Sequence, residues 1–402
     1  MTAVILALIF LLFARIDAFA ADPKPEAATY IDRGNAWLSQ QQYDQAIADY
    51  TEAIRLDPTN AWAYINRGAG WTNKQNFDKA IADYTEAIRL DPNNAWAYIN
   101  RGAGWINQKD YDKAIADYNQ AIRLEPTSAE AYNNRGAAWV AKKDYDKAIA
   151  DYSQAIRLEP TSAEAYNNRG AAWTNKKDYD KAIADYTEAI RLVPKVANAT
   201  SNLAEAYLKR GKALLAGNDY DKAVADFNQS IVLEPNDAKA YNIRGAAWYA
   251  KKDYGKAIAD YTEAIQHDPN YPMAYYNRGI VWEKKKSYKE ALADYNETIH
   301  LDPNYSRAYN RAAWLRATCA DDRYRNGKEA VELATRANEL TEWAVANNLL
   351  TAAAAFAEAG DFDSAIQYQT KAIDLNSTNT TFVKSAKEHL ALFRDHKPIR
   401  EN

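Results

Sequence analysis

Apolar and small residues return along this chain every 34 residues, and within each period they fall at helical spacing. Between Ala61 and Asn94, Tyr64, Gly68 and Trp71 stand four and three apart, and after a polar break Ala80, Tyr84 and Ala87 do the same. That spacing marks one face of an α-helix, so each period predicts two helices and a turn. Asp91 and Pro92 then stop the second helix, because proline lacks an N–H and disfavours helical geometry before it.

With the recurring glycine set at position 8, five repeats cover residues 27–196: Ala27 to Asn60, Ala61 to Asn94, Ala95 to Ser128, Ala129 to Ser162 and Ala163 to Val196. An insertion, Ala197 to Leu203, separates them from three more over residues 204–305: Ala204 to Asp237, Ala238 to Tyr271 and Pro272 to Tyr305. Residues 306–345 form a degenerate ninth repeat that keeps Tyr309, Trp314, Ala330 and Ala337 but has lost the glycine and carries an irregular stretch, Ala320 to Gly327. Residues 346–379 form a tenth without the closing proline. In the last segment, 380–402, Phe382, Ala386, Leu390 and Phe393 recur at helical spacing and predict a capping helix.

Positions 4, 8, 11, 20, 24, 27 and 32 of the second repeat are Tyr64, Gly68, Trp71, Ala80, Tyr84, Ala87 and Pro92, and this pattern resembles the tetratricopeptide repeat (TPR) family. Tyr64 and Trp71 exchange the family's usual aromatic places, and Arg67 stands where leucine is common. The resemblance implies an all-α, right-handed superhelical solenoid of about ten helix-turn-helix TPR units with a C-terminal capping helix. It also implies that the first helices line a concave groove. Gly68 and Ala80 let the two helices approach, Tyr64, Trp71 and Tyr84 fill the space around the crossing, and each repeat covers the apolar face of its neighbour.

At about 100° per residue from position 4, positions 8 and 11 lie within about 40° of the packed centre, whereas 2, 6, 9 and 13 lie about 140° to 180° away. Those four positions are expected to face the groove. They supply Trp62, Asn66 and Asn73; Trp96, Asn100 and Asn107; Glu130 and Asn134; and Glu164, Asn168 and Asn175, over a floor of alanine at position 9. An asparagine amide offers both donors and an acceptor and matches a peptide unit; the bland alternative is solvation or helix capping. Trp62 and Trp96 read either as stacking platforms for a side chain or sugar ring, open to solvent while Trp71 and Trp105 are buried, or as packing against the next helix.

Position 7 is Arg67, Arg101, Arg135 and Arg169 in these repeats, and position 23 is Asp83, Asp117, Asp151 and Asp185. A repeated Arg–Asp pair joining the two helices is the simple account. An anion-binding stripe is the alternative.

Composition changes this picture little. The 29 tyrosines and 11 tryptophans supply a core, and 50 Lys plus Arg against 54 Asp plus Glu give a net charge of −4, so nucleic acid is not an expected partner. Catalysis needs unlike groups that converge once, whereas Glu125 to Trp139 is copied at Glu159 to Trp173. His267, His300, His389 and His396 are scattered without zinc spacing, and Cys319 stands alone. No cofactor, metal or catalytic residue is expected. The expected role is a scaffold for an extended protein or peptide segment, with a polysaccharide or further copies of the chain as alternatives.

Thr2 to Ala14 is apolar, and Ala18 and Ala20 give the small-residue pattern of a cleavage site. Residues 1–20 therefore read as a signal peptide, although no Lys or Arg precedes the apolar stretch. About 13 apolar residues are too few for the roughly 20 of a membrane span. An exported protein, periplasmic or secreted, without a span in the mature chain is the expectation.

Overall fold

The computed structural model describes residues 25–196 and 198–401; the proposed leader, residues 1–20, lies outside them. The chain divides between Ala206 and Tyr207 into two compact bodies. The N-terminal body stacks α1 (Pro25–Ser39), α2 (Tyr43–Leu56), α3 (Ala61–Asn73), α4 (Phe77–Leu90), α5 (Ala95–Asn107), α6 (Tyr111–Leu124), α7 (Ala129–Ala141), α8 (Tyr145–Leu158), α9 (Ala163–Asn175) and α10 (Tyr179–Leu192). The division falls within α11 (Ala199–Ala216), which takes in five residues of the insertion and reaches 18 residues against 13 for α9.

The C-terminal body continues with α12 (Tyr220–Leu233), α13 (Ala238–Ala250), α14 (Tyr254–His267), α15 (Pro272–Lys284), α16 (Tyr288–Leu301), α17 (Ser306–Thr318), α18 (Gly327–Glu339), α19 (Ala346–Glu358), α20 (Phe362–Leu375) and α21 (Thr380–Arg394). The irregular stretch of the ninth repeat holds one 3₁₀ turn, Asp322–Tyr324. The closing helix α21 buries Ala386, Leu390 and Phe393.

Local chemistry sets the helix ends. Asn60, Asn94, Ser128 and Ser162 cap the first helices by accepting from the backbone N–H three residues on, and Asp110, Asp144 and Asp178 cap the second helices the same way. Between the helices of a repeat the chain turns through a left-handed residue that is not glycine: Gln75, Lys109, Lys143 and Lys177 have φ near +60°. In the second repeat this turn is closed by Asn76 N–H donating to the Trp71 carbonyl at 2.9 Å.

A helix wheel with a single buried centre does not describe the first helices. In α3 the buried residues are Ala63 and Gly70 on one side and Ile65, Gly68 and Ala69 on another. Between these stripes Tyr64 and Trp71 are only half-buried. The cause is stacking: a first helix packs against its own second helix and against the second helix of the preceding repeat. The glycine at position 8 makes room for the fully packed aromatic at position 24, since a Cβ on Gly68 would come within 2.7 Å of the Tyr84 ring. The same opposition recurs at Gly34 and Tyr50, Gly102 and Tyr118, Gly136 and Tyr152, Gly170 and Tyr186, and in the C-terminal body at Gly245 and Tyr261.

Candidate functional site

The arginines at position 7 do not stand free. Arg67 grips Asp83 with two hydrogen bonds, Nε to Oδ2 at 2.9 Å and Nη2 to Oδ1 at 2.7 Å. Arg101 holds Asp117, Arg135 holds Asp151 and Arg169 holds Asp185 in the same way. Each also reaches back one repeat, to Thr51 Oγ1, Thr85 Oγ1, Asn119 Oδ1 and Ser153 Oγ. That third partner has a signal in the sequence, because position 25 of the eight regular repeats carries a threonine, serine or asparagine in every case. These contacts hold the guanidinium pKa values above their ordinary range, the hydrogen bond to aspartate being the main cause. An anion would have to displace an aspartate to enter.

Aromatic residues close the same seam. The Arg67 guanidinium lies 5.6 Å from the centre of the Tyr64 ring, and Lys79 Nζ lies 4.2 Å from that of Trp71. Trp105, Trp139 and Trp173 each carry a lysine in the same place. Trp71 and Trp105 are thus half-buried, not enclosed. Trp62 and Trp96 have the same intermediate burial and rest against the clusters built on Ile65 and Ile99. They do not project as free platforms, because their rings have a neighbouring helix to cover.

The asparagines at position 6 form two classes. Asn66 Nδ2 donates to Asn35 Oδ1 of the preceding repeat at 3.2 Å, and Asn168 Nδ2 donates to Asn133 Oδ1 at 3.1 Å. Asn202 with Asn167, and in the C-terminal body Asn277 with Asn242, repeat the link. Asn100 has no hydrogen-bond partner among the described residues, and Asn134 is buried, 4% exposed, with Nδ2 unpartnered. The preceding repeats explain the split: the acceptor comes from position 9 as Asn35 or from position 5 as Asn133, whereas the repeats before Asn100 and Asn134 carry Ile65 with Ala69 and Ile99 with Ala103 at those places, which offer no side-chain acceptor. Asn73, Asn107 and Asn175 donate to their own helices, at the carbonyls of Ala69, Ala103 and Ala171.

Glu130 and Glu164 stand differently. Glu164 Oε1 accepts from Asn133 Nδ2 at 3.1 Å, and neither carboxylate has a cationic partner among the described residues. The protein around the Glu130 carboxyl, with the Glu164 charge beside it, pushes its pKa up to about 7. The Glu130 residue as a whole is exposed to solvent, so the carboxyl can be reached from outside. Among the described residues no cluster of His, Cys, Asp and Glu is placed to hold a metal, and no helix is long and apolar enough to cross a membrane.

These elements define a class: an all-α array of helix pairs held in register by a repeated Arg–Asp bridge. A family model described as TPR repeat matches residues 34–69, 72–103, 106–142 and 138–176, and models described as tetratricopeptide repeat match residues 163–196, 208–272, 272–305 and 346–379. The chain belongs to the tetratricopeptide repeat family. Comparison with curated proteins finds no match. Among solved structures, the MamA protein is 26% identical, covering 42% of this chain and 92% of its own, at a TM-score of 0.38. YrrB, described as a TPR protein with an unusual peptide-binding site, is 21% identical over 48% of this chain and 96% of its own, at 0.38. A tetratricopeptide repeat protein from Parabacteroides merdae is 19% identical over 67% of this chain and 100% of its own, at 0.43.

Proposed function

We propose that this chain is a non-catalytic scaffold whose first-helix face in the N-terminal body binds an extended protein segment. The observation that carries the reading is the contrast in charge pairing. Every position-7 arginine described above is neutralised by an aspartate, whereas Glu130 and Glu164, on the face that also carries Asn100, have no cation of their own. A segment with a basic side chain supplies that missing charge, while its backbone meets the unpartnered amide of Asn100. Trp62 and Trp96, already packed, contribute their open edges. Export after cleavage at residue 20 is part of the proposal and places the partner outside the cytoplasm.

The test uses two labelled twelve-residue extended peptides, one with alternating lysines and one with alternating glutamates. The basic peptide should bind at least tenfold more tightly, and Glu130→Gln with Glu164→Gln should remove most of that preference while the fold is kept. Indifference to peptide charge, or to the two substitutions, refutes the reading. Binding of an oligosaccharide in place of both peptides would favour the glycan alternative.

A further inference from the structure

The last described residues fold back from α21 onto the ninth repeat, within the C-terminal body. Ile399 is 5% exposed and joins the apolar cluster of Ala313, Ala317, Ala330 and Phe393. Arg400 Nη1 forms an ion pair with Glu358 Oε2 at 2.6 Å, and Arg325 holds the other oxygen of that carboxylate at 3.2 Å. Glu401 runs parallel to Cys319 as an isolated β-bridge: its N–H donates to the Thr318 carbonyl at 2.9 Å and its carbonyl accepts from Ala320 N–H at 3.1 Å. Its side chain accepts from Trp314 Nε1 at 2.8 Å. An apolar anchor, a paired charge and added-strand hydrogen bonds are the means by which proteins bind extended peptides.

The link to α21 is short and turns through His396, whose φ is +56° although it is not glycine. Residues 395–397 are exposed, and Pro398 stiffens the approach. Short hinges in a costly backbone conformation favour exchange of the docked element between copies, because every docking contact is recovered in the partner while the turn is released. We propose that this crevice, formed by α17, α19 and the Cys319–Ala320 segment that leaves α17, is a second segment-binding site whose partner is the Ile399–Arg400–Glu401 strap of a second copy of this chain.

Two charge variants test the exchange. An Arg400→Glu chain repels its own Glu358, and a Glu358→Lys chain repels its own Arg400, so neither can dock its strap in cis. When mixed, each strap faces a complementary crevice on the other chain. Light scattering should then show a species of twice the chain mass in the mixture and only monomer in each variant alone. Two folded variants that stay monomeric when mixed overturn the proposal. A labelled peptide copying residues 395–401 gives a second measurement that needs neither variant. It should bind an Ile399→Asp chain at least tenfold more tightly than the wild-type chain, whose tethered strap competes at high effective concentration. Equal binding to the two, or none to either, also overturns it.

Discussion

Adding a single methyl group at Gly136 should destabilise the array, whereas the same change at Gly70 should not. A Cβ built on Gly136 falls 2.7 Å from Tyr152 Cε1 and 2.9 Å from Cδ1, against 3.4 to 4 Å for ordinary contact. The Tyr152 ring is 2% exposed and shares a cluster with Ala148, Ile149 and Ala172, so it cannot retreat by the required 0.7 Å without moving them. Overpacking of this kind costs about 1 to 3 kcal/mol, and the better helix propensity of alanine returns about 1 kcal/mol. Gly136→Ala should therefore lose about 1 kcal/mol, and Gly136→Leu more. At Gly70 a Cβ meets Ile47 Cγ1 at 2.8 Å, so this one buried isoleucine must shift by a few tenths of an ångström, where Gly136 would have to move a whole ring. The chain already contains the control, because Ala138 occupies the equivalent position and packs in one cluster with Ile115. Gly70→Ala should then gain up to about 1 kcal/mol from propensity alone. Urea unfolding followed by circular dichroism compares the two midpoints; a shift in the same direction for both would refute the packing argument.

The Arg–Asp ladder should be uneven. Asp151→Ala strands Arg135, whose side chain is 19% exposed, and should cost on the order of 3 kcal/mol. Asp49→Ala strands Arg33, which is 55% exposed and screened by solvent, and should lower the same midpoint much less than Asp151→Ala does. Glu130 should make stability depend on pH. Its carboxyl is raised from 4.5 to about 7 in the folded state, so its favourable contribution is complete below pH 4.5 and is lost as pH rises through about 7. Melting curves of wild type and Glu130→Gln should therefore diverge from pH 5 to pH 8, the variant becoming the more stable; parallel curves would show that Glu130 is not perturbed. Affinity for the basic peptide should move the other way and strengthen over that interval, which a titration at pH 6 and pH 8 would show.

How much of this could be read from the sequence depends on whether a property belongs to one helix or to two. The repeat frame and the helix ends are local, since glycine, proline and the capping side chains act within a few residues, and they are legible in the 34-residue period. The phase of the buried face is not local. Tyr64 and Trp71 look like the centre of a packed face until the second helix of the preceding repeat is in place, and then Ala63, Ile65 and Ala69 take the buried positions on either side. The position-6 asparagines show the same limit more sharply. In the sequence Asn66, Asn100, Asn134 and Asn168 are equivalent, yet the residue that decides the fate of each amide lies 31 or 35 positions earlier, as Asn35 for Asn66 and Asn133 for Asn168. Where that partner is absent, the amide of Asn100 is left without one and that of Asn134 is buried unsatisfied. The unanswered amides of this face are thus set by variation between repeats, at the places where a stacking neighbour offers no acceptor, and are not spread evenly along the row that repetition alone suggests; the binding proposed above would follow that uneven distribution.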